Sequence, residues 1–145
     1  MGAFTAPSPN RGTPVGVGMV QHYQPIDLVN LDVACATHSD SYYAALTALA
    51  QARQDLGISQ DSLRLRSAEI SANTRHLCEE SKTKYTEGSI AAKVEAHEDV
   101  MSLRAHVRDK ELEVADILAA VSALEARGVQ LGNLVRLRVA KGSTA

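Results

Sequence analysis

The most constraining feature of this sequence is a run of valines spaced seven residues apart. The first position of this repeat is occupied in turn by Val100, Val107, Val114, Val121, Gly128 and Val135. The positions three residues further on hold Leu103, Lys110, Ile117, Leu124, Leu131 and Arg138. Apolar residues that alternate at three and four positions line one face of an α-helix and pack against another helix. We therefore predict an all-α fold with heptad, coiled-coil-like packing.

Two residues interrupt this apolar row, which we call the heptad seam. Lys110 weakens packing but can select a register or a number of partners. Gly128 leaves a gap that allows a bend or a close helix crossing, and Gly132 lies four residues further on. The repeat alone leaves two arrangements open. The seam could join separate chains, or it could pack against the preceding helix as an antiparallel hairpin.

Proline divides the chain into two parts. All four prolines and four of the nine glycines lie in the first 25 residues. Such a segment cannot hold a helix and has few apolar groups to offset its ordering entropy. We predict that residues 1–25 form a flexible, disordered tail, with a docking arm for a partner as the alternative. Residues 26–145 are predicted to form a long helical hairpin and oligomerisation domain.

We expect two long helices in the proline-free part. The first is predicted to begin with Ser39 or Asp40 as its N-cap and to continue through Gly57 with a kink. The preceding segment, PIDLVNLDVACA, is either a short helix or an extended lead-in. After the polar break ESKTKYTEGS, Thr86 is expected to cap a second helix that runs to about Val139. Apolar residues of the first helix follow at helical steps: Tyr42, Leu46, Leu49 and Leu56.

No motif for catalysis or for metal binding stands out. The segment HEDVM begins like the zinc-binding motif HExxH, but Met101 replaces the second histidine. His97 and His106 are therefore predicted to be solvated helix residues. Cys35 and Cys78 form no CxxC pair and are expected to be reduced thiols. We predict a non-enzymatic protein without metal or cofactor.

The chain also lacks an apolar run of the roughly 18 residues that a membrane span requires. No charged segment followed by an apolar one suggests a signal peptide. We predict a cytoplasmic protein without membrane contact, located in the host cytoplasm if a phage encodes it.

Positive charge is local rather than global, because the net charge is -2. One basic cluster precedes and enters the polar break, next to Tyr85, and comprises Arg64, Arg66, Arg75, Lys82 and Lys84. Basic residues beside an aromatic ring suit the tracking of a single-stranded nucleic acid. The alternative is that these residues only decorate helix surfaces. A second basic run ends the chain: Arg127, Arg136, Arg138 and Lys141. Arg136, Arg138 and Lys141 complement the helix dipole and would contact DNA only if an oligomer turned them inward.

The segment YTEGSIAAKVEAHEDVMSLRAHVRDKELEVADILAAVSALEARGVQLGNL resembles the UvsY-type recombination mediators of tailed phages. EAHEDV and ALEARGVQLGNL are its most similar parts, and the resemblance extends from about residue 31 to 141. It implies a helical protein that binds single-stranded DNA and forms a ring-like homo-oligomer through its C-terminal region. It also implies loading of a RecA-like recombinase onto strands coated with single-strand-binding protein. The family's basic pair is matched best by RLR, with Arg64 and Arg66.

Two function classes thus remain: a recombination mediator, and a structural coiled-coil assembly protein such as a scaffold, chaperone or virion component without DNA binding. Both predict self-association, either along the seam or, if the seam packs within a hairpin, through the end of that hairpin. The residues predicted to serve it are Val107, Val114, Ile117, Val121, Leu124, Gly128, Leu131 and Val135.

Overall fold

The computed structural model describes residues 26–143, which form an antiparallel helical hairpin with a short helix at its closed end. The helices are α1 (Leu31–Glu80), α2 (Glu87–Ala96) and α3 (Glu98–Ser143). No strand occurs within these residues. The predicted all-α fold and long helical hairpin are confirmed. The predicted disordered tail lies outside the described residues.

Side-chain contacts establish the antiparallel direction of α1 and α3. Arg138 lies 3.6 Å from Asp32 at one end, and Arg66 lies 2.7 Å from Asp99 near the other. Between them, the Tyr42 hydroxyl donates to Glu125 at 3.1 Å. We call the end with Asp32 and Arg138 the open end, and the end with the α1–α2 loop the closed end.

The heptad seam packs against α1 of the same chain. Its buried centre is formed by Ile117, Val121 and Leu124, with Val114 at the edge. Across from them lie residues of α1, of which Ala45 and Ala52 are only 2% and 3% exposed. Small side chains on one helix let the branched side chains of the other approach its backbone closely. The structure thus selects the hairpin arrangement for the seam.

The first helix begins earlier than expected. It starts at Leu31 after Asn30, so the predicted N-cap at Ser39 or Asp40 is wrong. The carboxylate of Asp27 accepts hydrogen bonds from the backbone amides of Val29 and Asn30, at 2.9 and 3.3 Å. This local turn holds the chain just before the helix. As predicted, α1 continues through Gly57.

The single second helix that we expected is divided at His97. Thr86 caps α2 as predicted, in a capping box with Ser89, but α2 ends at Ala96. His97 has an extended backbone with ψ of 132°, and its Nδ1 accepts from the amide of Asp99 at 3.2 Å. His97 is therefore a half-buried cap of α3 rather than a solvated helix residue. The break lets Ile90, which is off the heptad positions, be buried as well.

Gly128 provides space for a side chain of the opposite helix. A Cβ atom added there would lie 2.9 Å from Nε2 of His38. The gap predicted in the seam thus admits an imidazole ring, which stacks on Tyr42 with ring centres 6.1 Å apart. A Cβ atom on Gly132 would meet nothing within 4 Å.

Both cysteines are free, as predicted. They lie 43 residues apart on α1, which is about 65 Å along the axis of a straight helix. Among the described residues, no helix is both long enough and apolar enough to span a membrane.

Candidate nucleic-acid interface

The five predicted nucleic-acid contacts lie toward the closed end of the hairpin. Arg64, Arg66 and Arg75 belong to the second half of α1. Lys82 and Lys84 follow in the loop before α2. All five residues therefore lie on one segment, from the second half of α1 into the loop, and the fold keeps this segment away from the open end.

The two arginines of the RLR pair face different directions. Residues two positions apart on a helix are rotated by about 200° from each other. Arg64 points outward with a side chain that is 80% exposed, and its nearest carboxylate is Asp61 at 3.4 Å. Arg66 faces α3 and is 38% exposed. The pair does not form one continuous basic surface.

Arg66 is bound by two carboxylates. Its Nε and Nη2 donate to Oδ2 of Asp99 at 3.0 and 2.7 Å, and its Nη1 donates to Glu69 at 2.9 Å. The hydrogen bonds with Asp99, then with Glu69, raise the pKa of Arg66. This side chain joins α1 to the first turn of α3.

Arg75 makes the equivalent connection to α2. Its Nη2 donates to Glu87, the first residue of α2, at 2.6 Å, and this bond raises the pKa of Arg75. The neighbouring Tyr85 hydroxyl donates to Glu79 at 3.2 Å, which raises the pKa of Tyr85. Tyr85 is half-buried, and its hydroxyl is thus bound to the last turn of α1.

The two lysines differ from the arginines of the cluster in lying outside any helix. Both are exposed, and they lie in the loop rather than on a helix face. Lys82 has a φ of 52°, and no other described residue has a positive φ. The amides of Lys82 and Thr83 donate back to Glu79 and Cys78, at 3.2 and 2.9 Å. This is a Schellman motif with lysine at the position that glycine usually occupies.

The residues predicted for self-association are mostly used within the chain. Buried ones are Val107, Ile117, Val121, Leu124 and Leu131, while Val114 packs at the edge of the core. Gly128 receives the ring of His38. Among the residues predicted for self-association, only Val135 is exposed. Any surface that joins copies of this folded hairpin therefore consists largely of other residues.

The open end offers such a surface. Val33 follows Asp32 directly and Val29 lies in the turn before α1, while Leu137 and Val139 flank Arg138, the partner of Asp32. All four of these apolar side chains are more than half exposed. The Asp32–Arg138 contact thus brings the chain segments that carry these side chains to the same end of the hairpin.

No described group of three or more His, Cys, Asp or Glu residues could hold a metal ion. In the HEDVM segment, His97 precedes α3, and Glu98 and Asp99 lie in the first turn of that helix. Acidic residues at this position interact favourably with the helix dipole.

The row of small residues in α1 that faces the heptad seam was not predicted. In α1, the repeat of seven runs through Cys35, Tyr42, Leu49, Leu56, Leu63 and Ile70, with a parallel row at His38, Ala45, Ala52, Ser59 and Arg66. The second row has small or polar side chains and lacks an apolar signal, although Ser59 is only 6% exposed. Its constant spacing was the available clue. Leu46, by contrast, is exposed.

Fold and site together define an all-α protein, a long antiparallel helical hairpin with basic residues toward its closed end. Comparison with known protein families, with curated proteins and with solved structures found no match.

Proposed function

We propose that this protein is a non-enzymatic recombination mediator that binds single-stranded DNA as a homo-oligomer in the cytoplasm. It helps to load a RecA-like recombinase onto strands coated with single-strand-binding protein. The observation that carries this proposal is the closed-end loop, which exposes Lys82 and Lys84 on non-helical backbone. The resemblance of the segment from residue 85 to the UvsY-type mediators supplies the biological role.

The backbone of Lys82 supports a functional role for its side chain. A left-handed conformation favours glycine, and a lysine there is strained relative to glycine. Such strain is often found where a side chain has a task. The exposed ammonium group suits contact with the phosphates of a strand.

Oligomerisation strengthens this weak local charge. One subunit offers only a few basic groups, but several subunits on one strand add their contacts as linked binding events. We expect that the copies meet at the open end, where Val29, Val33, Leu137 and Val139 are exposed.

Binding is tested by fluorescence anisotropy with labelled oligo-dT at low salt. We expect affinity in the micromolar range or better, falling steeply as salt increases. The double variant Lys82→Ala/Lys84→Ala should bind at least severalfold more weakly. The double variant Arg53→Ala/Arg108→Ala removes the same charge from exposed positions outside the cluster and should bind almost as well as the wild type. Equal losses in both variants would contradict the assignment of the loop.

The second candidate is a structural coiled-coil assembly protein without DNA binding. The ion pairs of Arg66 and Arg75 favour it, because they show these arginines joining helices. It predicts an oligomer in light scattering whose mass does not change when oligo-dT is added. A mass increase with oligo-dT that is reversed by salt excludes it.

A further inference from the structure

Two of the five predicted phosphate contacts are already occupied by acidic groups of the same chain. Asp99 binds Arg66, and Glu87 binds Arg75. A carboxylate offers a guanidinium group the same kind of anionic oxygen acceptor as a phosphate. Both arginine side chains remain partly accessible, at 38% and 42% exposure. A strand can therefore approach them, but it must compete with the carboxylates.

The short helix α2 is well suited to move in this competition. It has ten residues, and Ile90 is its one buried residue. Non-helical backbone borders it on both sides, at residues 83–86 and at His97. Segments with few buried apolar contacts open at lower free energy than the core of a protein.

We propose that α2 and the first turn of α3 form an autoinhibitory cover over Arg66 and Arg75, which the phosphates of single-stranded DNA displace. In the free protein, Glu69 of α1 also binds Arg66, while Glu87 and Asp99 of the cover occupy the two arginines. In the complex, phosphodiester oxygens replace them, and the two carboxylates become hydrated. This inference rests on the proposed function and names the regulation of the same site.

The competing ion pairs are weak enough for phosphate groups to replace them. Ion pairs between partly exposed side chains are weak, so each one changes a binding equilibrium by about two- to fivefold. Because binding and opening are linked, removal of a competing carboxylate must increase DNA affinity by the same factor as it favours the open state.

The test compares two double variants with the same charge change. Glu87→Gln/Asp99→Asn removes the competitors, whereas Glu111→Gln/Asp116→Asn alters exposed acidic residues of α3 that lie outside the cover. Affinity for labelled oligo-dT is measured by anisotropy, with helicity by circular dichroism as a check on folding. We expect the first variant to bind about fourfold or more tightly than the second, which reflects two released pairs. Equal affinities would overturn the inference.

Hydrogen exchange on the wild-type protein provides a readout that does not depend on a variant. Saturating oligo-dT should accelerate amide exchange in residues 87–96 while residues 117–124 of the core stay unchanged. Unchanged or slower exchange in α2 would also overturn the inference, although the proposed function would stand if DNA is bound. Failure of the wild type and of both variants to bind would instead refute the proposed function and this inference with it.

Discussion

The residue two positions beyond the end of α1 is held in a conformation that its side chain disfavours. Lys82 adopts a φ of 52° in the Schellman motif, whereas glycine occupies this conformation without a steric cost from Cβ. The fold gains no evident contact from the lysine side chain, which is exposed. Stability and the proposed function therefore favour different residues at this position.

We expect Lys82→Gly to stabilise the protein by about 1 kcal/mol, because it removes the left-handed strain. Urea denaturation followed by circular dichroism measures the free energy of unfolding. Lys84→Gly is the matched control, since it removes the same charge from the same loop at a residue without positive φ. A gain in the control as large as in Lys82→Gly would indicate that charge, not backbone strain, is the cause.

At the scale of elements, the two long helices contribute side chains of different size to their contact. Branched residues of α3 meet a row of small residues in α1, including Ala45 and Ala52. A larger side chain in that row cannot be accommodated without displacing one of the helices.

We expect Ala52→Leu to lower the free energy of unfolding by about 1–3 kcal/mol through overpacking. Ala50→Leu lies two residues earlier on the exposed side of α1 and should change it by less than about 0.5 kcal/mol. Both values come from urea denaturation. Similar stabilities of the two variants would contradict the described packing of α1.

A second element-scale contact joins α2 to α3 across His97. Arg104 forms an ion pair with Glu95, and its hydrogen bonds lower the pKa of the Glu95 carboxyl from an ordinary value of 4.5. A carboxyl whose pKa is lower in the folded state stabilises the fold above its unfolded pKa. That contribution is lost as pH falls through the lower folded value.

The pH dependence of stability should therefore contain a component from Glu95 below about pH 4.5. Thermal unfolding is followed between pH 7 and pH 3. The melting temperature of the wild type should decrease more over this range than that of Glu95→Gln, which cannot titrate at this position. Glu111→Gln has no ion pair to lose and should follow the wild type. Parallel curves for all three proteins would show that this contact does not contribute.

At the scale of the whole molecule, α1 covers most of the heptad seam of the same chain. Apolar side chains at the open end remain exposed. Val29 in the turn before α1, Val33 of α1, and Leu137 and Val139 of α3 are exposed at the end where Asp32 pairs with Arg138. Clusters of exposed apolar side chains commonly mark contact surfaces between proteins.

We expect Leu137→Glu to reduce the oligomer mass measured by light scattering while helicity in circular dichroism stays constant. Burial of a carboxylate in an apolar interface without a partner is strongly unfavourable. Leu112→Glu is the control, because Leu112 is similarly exposed on α3 but lies far from the open end. If both variants keep the wild-type mass, the copies do not meet at the open end.

Local periodicity was sufficient to predict the helical class, the inward face of α3 and the polar break with its cap at Thr86. These features depend on residues that are close to each other in the sequence, so they can be predicted from residue spacing and from capping residues. The row of small residues in α1 escaped notice because alanine and serine carry little apolar signal.

The sequence by itself determined an all-α chain with a valine-lined helix that requires a partner. Only the tertiary structure decided that this partner is α1 of the same chain, which the heptad leaves open because intra- and interchain packing obey the same repeat. Tertiary contacts also decided the break at His97 and the pairing of Arg66 with Asp99, 33 residues away. Such contacts depend on how distant segments meet in space, and no local pattern encodes that.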